Sequence, residues 1–182
     1  MSHRLYHTEA FVLNCRPFGE ANAWYYLLTP DFGLVVAAAQ GVRELKSKLR
    51  GQLTSRAHLL VSLVRGRGGW LITAAENSGL LPPRPESFEE QATLIRISRL
   101  LYRLVRGEER NPVLFDELKW GLVRIIAQRL PPARLYHHEL ILVLKLLWRL
   151  GYVSPPQTLS SPTAGPAALV RLINRALHAS QL

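Results

Sequence analysis

The chain has 182 residues, enough for one substantial domain or two small ones. It is 48% hydrophobic and 20% charged, so it can bury a core and is not a disordered tail. No apolar run approaches the roughly 18 residues of a membrane span, and the first residues lack the apolar stretch of a secretory signal. The single cysteine, Cys15, excludes an internal disulfide and a thiolate zinc cage. We therefore expect a cytoplasmic protein that does not contact membranes.

The chain is strongly basic, with 23 Lys and Arg against 13 Asp and Glu and a net charge of +10. Such an imbalance favours a polyanionic partner, because nucleic-acid phosphates exchange their condensed counterions for Lys and Arg side chains. A solubilising surface, or the compositional habit of the host, is the alternative explanation. The positions of the charges along the chain distinguish a polyanion-binding surface from a solubilising one.

The first eighty residues predict β structure. Five runs are rich in Val, Leu, Thr and aromatic residues and are separated by turn residues: 8–14, 24–29, 33–40, 56–64 and 70–76. In the fourth run, Ala57, Leu59, Val61 and Leu63 form one apolar face, which is typical of a strand with one side in a core. Short antiparallel strands need a closed barrel to hide their edges, and the five-stranded OB type fits the count. We predict an OB-fold barrel over residues 1–80.

The second part, residues 81–182, predicts an α-helical domain after a proline-rich linker, so the fold class is α+β. Ser87 and Glu90 form a capping box, and Asn111-Pro112 is an N-cap and N1 pair for a second helix. Pro131-Pro132 ends that helix, and a third runs to Leu150. Residues 154–165 are rich in Pro, Ser and Thr and predict a flexible loop, followed by a last amphipathic helix.

The positive charge of the barrel half is concentrated between residues 41 and 69, where Glu44 is the single acid. Much of this stretch is loop, and loops at one rim of a small barrel can present cations together to a nucleic-acid strand. Trp24, Tyr26 and Trp70 are candidates for base stacking, with core packing as the alternative for each ring. The candidate nucleic-acid-binding residues are Arg43, Lys46, Lys48, Arg50, Arg56, Arg65 and Arg67.

A second basic feature lies in the first predicted helix. Arg96, Arg99, Arg103 and Arg106 recur at intervals of three, four and three, which places them on one stripe. Like charges at this spacing repel, so a compensating anion is expected. A DNA backbone and an acidic partner peptide are two candidates, and carboxylates from a neighbouring helix are the structural alternative.

The sequence shows neither clustered carboxylates nor a nucleotide-binding motif of the kind that a catalytic site would need. The acidic residues of the barrel half are scattered one per element, and no phosphate-binding G-x-x-x-x-G-K-[ST] stretch occurs. In His137-His138-Glu139, adjacent helical side chains diverge by about 100° and do not converge on one metal ion. We predict that the protein is not an enzyme and uses no metal or cofactor.

The chain resembles the bacterial recombination mediator family RecO. The resemblance is carried in order by residues 6–13, 18–22, 28–33, 39–43, 46–51, 65–69, 75–76, 111–115 and 150–152. Two departures stand out. Members commonly carry a cysteine zinc module after the Leu-Gly-Tyr segment, whereas residues 155–165 here contain no thiol, so we expect this module to be deleted. In addition, Asn22 replaces a frequent acidic residue and Gln40 a frequent lysine.

The resemblance implies a non-catalytic protein of recombinational repair, cytoplasmic and associated with the nucleoid. Such proteins bind single- and double-stranded DNA through the barrel and anneal complementary strands. They load the recombinase together with RecR and often RecF, and in some members the helical domain binds the tail of single-strand-binding protein. A different class stays open: an interaction adaptor whose helical domain docks an acidic tail, with little DNA affinity of its own.

Overall fold

The computed structural model describes residues 4–53, 57–82, 85–127, 130–154 and 165–179. Within these ranges, five strands precede four helices. The strands are β1 (Leu5–Phe18), β2 (Asn22–Thr29), β3 (Gly33–Ala39), β4 (His58–Gly66) and β5 (Gly69–Asn77). The helices are α1 (Phe88–Leu104), α2 (Pro112–Ala127), α3 (Pro132–Arg149) and α4 (Pro166–Ala179).

The strands form a closed barrel in the order β1-β2-β3-β5-β4. β1 pairs with β4 through residues 5–11 and with β2 through residues 11–18. Its register with β2 shifts between Val12 and Asn14, an irregularity of the kind that bends a strand. Four strand pairs are antiparallel, but β3 and β5 are parallel, so the prediction of an all-antiparallel sheet is wrong for this pair. The reason is the long β3–β4 connection, after which the β4–β5 hairpin returns β5 in the direction of β3. This order is that of an OB fold, and the predicted fold class is confirmed.

Strand alternation decides which side chains fill the barrel. In β4, Leu59, Val61 and Leu63 are buried as predicted. In β2, Ala23, Tyr25 and Leu27 face inward, so Trp24 and Tyr26 face outward. The Tyr25 hydroxyl donates a hydrogen bond to the backbone oxygen of Leu53 at 3.3 Å, and burial raises the pKa of this phenol.

The chain forms two compact units: residues 1–84 with 98–112, and residues 85–97 with 113–182. The barrel unit therefore includes the second half of α1 and the segment that follows it. The Leu34 amide donates to the backbone oxygen of Gly107 at 3.0 Å, and Arg65 pairs with Glu108 at 3.1 Å. The backbone of Glu109 lies directly against Gly33, which has φ +66°. Residues 107–109 are thus fixed on the barrel. The predicted division at residue 80 stays a prediction.

The helical unit begins and ends its helices with local hydrogen bonds. The Glu90 amide donates to Ser87 Oγ at 3.1 Å, and the Glu86 amide donates to the Glu90 carboxylate at 2.9 Å, one residue earlier than the predicted capping box. α2 begins at Pro112 and α3 at Pro132, while Gly151 with φ +80° ends α3. Most of the predicted loop at 154–165 lies outside the described residues.

No helix within the described residues is both long and apolar enough to cross a bilayer. Nor do three or more His, Cys, Asp or Glu side chains come together as a metal site in the described ranges. In the His137–His138 pair, His138 Nδ1 donates to the backbone oxygen of Arg134 at 2.9 Å.

Gly33→Ala should destabilise the barrel unit by about 2–4 kcal/mol. Alanine would have to adopt the left-handed backbone that Gly33 has, which an L side chain disfavours. Its Cβ would also collide with the backbone of Glu109, which is less free to move than the end of a side chain. Gly79→Ala is the matched control, because Gly79 also has positive φ (+74°) but open space around it, and should cost about 1 kcal/mol. Urea unfolding measures both. Equal losses would show that residues 107–109 do not press on the barrel.

Candidate nucleic-acid interface

Residues 41–53, here called the cation loop, hold four of the predicted DNA-binding cations on the surface. Val42 and Leu53 are buried in the barrel core and Leu49 is packed against it. These apolar anchors direct the intervening polar side chains to solvent. The exposed cations are Arg43, Lys46, Lys48 and Arg50. Arg56, also predicted, lies outside the described residues.

The start of the cation loop is bound to the β1–β2 turn. The Gly41 amide donates to Asn22 Oδ1 at 2.9 Å, and the Arg43 amide donates to the backbone oxygen of Ala21 at 2.9 Å. The Arg43 guanidinium donates to the backbone oxygen of Gly19 at 3.2 Å. These bonds fix Arg43 beside the turn, and they give Asn22, which departs from the family pattern, a structural role.

The β4–β5 hairpin supplies two further cations. Arg65 pairs with Glu108 at 3.1 Å, and its guanidinium lies 5.2 Å from the centroid of the Trp70 ring. Arg67 is exposed at the tip and forms no ion pair with any residue that the structure describes. Of the two, Arg67 is the cation available to an external anion.

A groove of about 400 Å³ lies between the β1–β2 turn and the β4–β5 hairpin, on the outer face of β2 and β3. Its lining includes Phe18, Trp24, Ala38, Gln40 and Gly68. The rings of Phe18 and Trp24 stack at a centroid distance of 4.6 Å and an interplanar angle of 22°. In OB folds, this strand face and the two loops beside it bind oligonucleotides.

The groove has a candidate cation on each side. Arg67 stands between Gly66 and Gly68, which both line the groove, and Arg43 is bonded to the residue after Phe18. The aromatic floor can stack on bases while the cations contact the backbone, which is the usual arrangement for single-strand binding. Phe18 was not selected as a stacking residue from the sequence, although an aromatic side chain among the turn residues after the first predicted strand was a signal.

The three predicted stacking residues have different environments. Trp24 lines the groove and is half-buried. Tyr26 packs edge-to-face on Tyr102 at 4.8 Å. Burial of Tyr26, and then hydrogen bonding with Tyr102, raise the pKa of Tyr26. Trp70 is 4% exposed, packed 5.3 Å from Tyr6, because it shares the inward face of β5 with Ile72. Trp70 therefore offers an edge to the groove but no free ring face, and Trp24 is the one suited to stacking.

The arginine stripe of α1 is divided by its contacts. Arg96 forms a two-pronged ion pair with Glu139 of α3, whose side chain is 5% exposed and also accepts a hydrogen bond from Thr93 at 2.8 Å. Glu139 raises the pKa of Arg96 through this bond. Arg106 lies beyond the end of α1 at Leu104 and is not on the helix, because the chain turns at Gly107.

Arg99 and Arg103 are exposed on α1, and neither forms an ion pair within the described part of the chain. Of the four stripe arginines, Arg96 is therefore the one whose charge is compensated by a carboxylate of a neighbouring helix among the described residues.

The strand order, the aromatic groove and the surrounding cations define an OB-fold domain with a basic, aromatic-lined face. Residues 1–77 match the family described as Recombination protein O N terminal. The resemblance to the RecO family noted in the sequence is therefore confirmed over the barrel domain.

Two curated relatives extend this similarity. A DNA repair protein RecO from Dehalococcoides mccartyi strain CBDB1 is 33% identical over 111 residues, covering 61% of this chain and 44% of the relative. A protein of the same name from D. mccartyi strain 195 is 32% identical over 111 residues, with the same coverage. The chain thus matches less than half of the length of these relatives.

Arg96→Ala should destabilise the helical unit by about 1–3 kcal/mol, because it leaves the buried Glu139 carboxylate without its cation. Arg99→Ala removes the same charge from an exposed position of the same helix and should stay within about 0.5 kcal/mol of the parent. Thermal unfolding of the two variants compares them. Equal small effects would mean that the Arg96–Glu139 pair does not stabilise the fold.

Proposed function

We propose that the protein is a non-catalytic DNA-binding component of recombinational DNA repair. The observation that carries this proposal is the Phe18–Trp24 groove, with Arg43 bonded to the turn that follows Phe18 and Arg67 in the hairpin that lines the groove. The names of the curated relatives, which are DNA repair proteins, support the same role. The scattered carboxylates of the barrel half favour binding over catalysis.

Binding is governed by backbone phosphates and is independent of base sequence. Lys46, Lys48 and Arg50 are exposed and form no ion pairs with described residues, so their charges remain available. Each contact with a phosphate releases a condensed counterion, which favours binding at low salt. The Phe18–Trp24 pair stacks on a base, and stacking does not distinguish one base from another.

Annealing follows from the same electrostatics. Two DNA strands repel each other through their phosphates, and a shared basic surface lowers that repulsion. Phosphate contacts leave the pairing edges of most bases free for an incoming strand. Recombinase loading, and cooperation with RecR, RecF and single-strand-binding protein, extend the proposal by the family resemblance alone.

The affinity for single-stranded DNA should fall about 100-fold between 50 and 200 mM salt, as expected for about five neutralised phosphates and a slope of log K against log salt near −3.5. The triple variant Lys46→Ala, Lys48→Ala, Arg50→Ala should reduce this slope by about 2. Fluorescence anisotropy with a labelled oligonucleotide measures both slopes. An unchanged affinity and slope in the triple variant would refute the cation loop as the DNA contact.

Phe18→Ala should weaken single-strand binding by about 1–2 kcal/mol, because one stacking surface is lost. Binding to duplex DNA should change little, since its bases are already stacked on one another. Leu60→Ala is the control: Leu60 is an apolar side chain, 49% exposed, on β4 and away from the groove lining. A Phe18 variant that binds both DNA forms like the parent would contradict base stacking at this pair.

A second candidate is the adaptor function. Within the helical unit, α2 and α3 form a groove of about 200 Å³ whose lining includes Trp120, Ile141 and Arg124. Trp120 is 59% exposed, and Arg124 is an exposed cation, so the groove suits an acidic peptide with an apolar end. Titration with such a peptide tests it, and tight peptide binding without DNA affinity would favour the adaptor over the DNA-binding role.

A further inference from the structure

Arg16 is an exposed cation on the outer face of β1 that none of the sequence patterns selected. Its guanidinium lies 5.8 Å from the ring centroid of Tyr26 and 5.8 Å from that of Tyr102. In the strand register, Arg16 stands opposite Trp24, which lines the groove. Arg16 forms no ion pair with a carboxylate of the described residues.

The two tyrosine rings hold the guanidinium in place. Tyr26 and Tyr102 contact each other edge-to-face at 4.8 Å, so the two rings form one aromatic surface beside the guanidinium. Tyr102 belongs to the second half of α1, which is part of the barrel unit and is followed by the segment fixed at Gly107. An arginine oriented in this way loses less side-chain entropy when it binds an anion than a free lysine does.

The surroundings of Arg16 indicate what it binds. A structural cation of this protein, such as Arg65 or Arg96, has a carboxylate partner, whereas Arg16 has aromatic faces and solvent. The position beside Trp24 places it next to the surface on which a base would stack. The backbone of that nucleotide carries its phosphates along the same strand face, and guanidinium is well suited to a phosphate through its paired N–H donors.

We propose that Arg16, positioned by Tyr26 and Tyr102, binds the phosphate next to the base that stacks on the Phe18–Trp24 pair. Arg99, exposed and one turn before Tyr102 on the same side of α1, continues this path onto the helix. The proposal rests on the DNA-binding function above and extends its site from the barrel loops to β1 and α1.

The test compares Arg16→Gln with Arg171→Gln, which removes the same charge from an exposed position of α4 outside the barrel unit. With an oligo(dT) of about twenty nucleotides at low salt, Arg16→Gln should bind roughly tenfold more weakly. The slope of log K against log salt should decrease by about 0.7, the value for one phosphate of a single strand. Arg171→Gln should bind like the parent.

A second pair of variants tests the positioning by the tyrosines. Tyr102→Ala keeps every charge but removes one ring from Arg16, and should weaken oligo(dT) binding, whereas Tyr102→Phe keeps the ring and should restore most of the affinity. Circular dichroism shows whether each variant is folded. Should Tyr102→Ala fail to fold, the Arg16 Nε resonance of the unmodified protein provides the measurement: it should shift on addition of oligo(dT).

The outcomes separate the two proposals. If the unmodified protein does not bind oligo(dT), both are overturned. If the cation-loop triple variant loses affinity but Arg16→Gln binds with the parent's affinity and salt slope, the DNA-binding function stands and the role of Arg16 is overturned. Equal losses in Arg16→Gln and Arg171→Gln would show an effect of net charge and would also overturn it, as would an Arg16 resonance that does not shift.

Discussion

The short parallel pairing of β3 with β5 is the constraint on which the candidate site depends. It consists of two residue pairs, Ala37 with Trp70 and Ala38 with Leu71. Because it closes the barrel at the end of β3, the β4–β5 hairpin lies beside β3 and the β1–β2 turn. Two connections that are separate along the chain, the β1–β2 turn and the hairpin, therefore border one groove. Without this pairing, β3 and β5 would be open edges and the hairpin would have no fixed neighbour.

The distribution of acids explains why only some cations are available. Among the described residues, carboxylates neutralise the cations that join one element to another: Glu108 with Arg65, Glu139 with Arg96, and Glu117 with both Lys145 and Arg149. With the residues that the structure describes, the cations of the cation loop form no such pair, although their like charges repel one another. A merely solubilising surface would intersperse both signs, as α2 and α3 do, so the one-sided loop argues for an external polyanion.

The sequence predicted what depends on local chemistry. Alternation in residues 57–63 predicted the inward face of β4, and Pro112 predicted the start of α2. Features that depend on contacts between residues far apart in the chain could not be predicted from the sequence. The direction of β5 is set by a pairing between distant segments, and Tyr26 is covered by Tyr102, 76 positions later, which no periodicity reveals. Arg96 looked like its stripe neighbours because its partner Glu139 lies on another helix.

The contact between Tyr26 and Tyr102 changes what counts as the barrel's surface. The outward face of β2 would carry two exposed rings if the strands stood alone, but α1 covers Tyr26 and leaves Trp24 at the groove. The guanidinium of Arg16 lies near both tyrosine rings, and Arg16 stands opposite Trp24 in the strand register. The charge of Arg16 is therefore held between the covered ring and the groove. A fragment of strands alone would lose this arrangement. The segment 98–112, which belongs to the barrel unit, therefore shapes the candidate site.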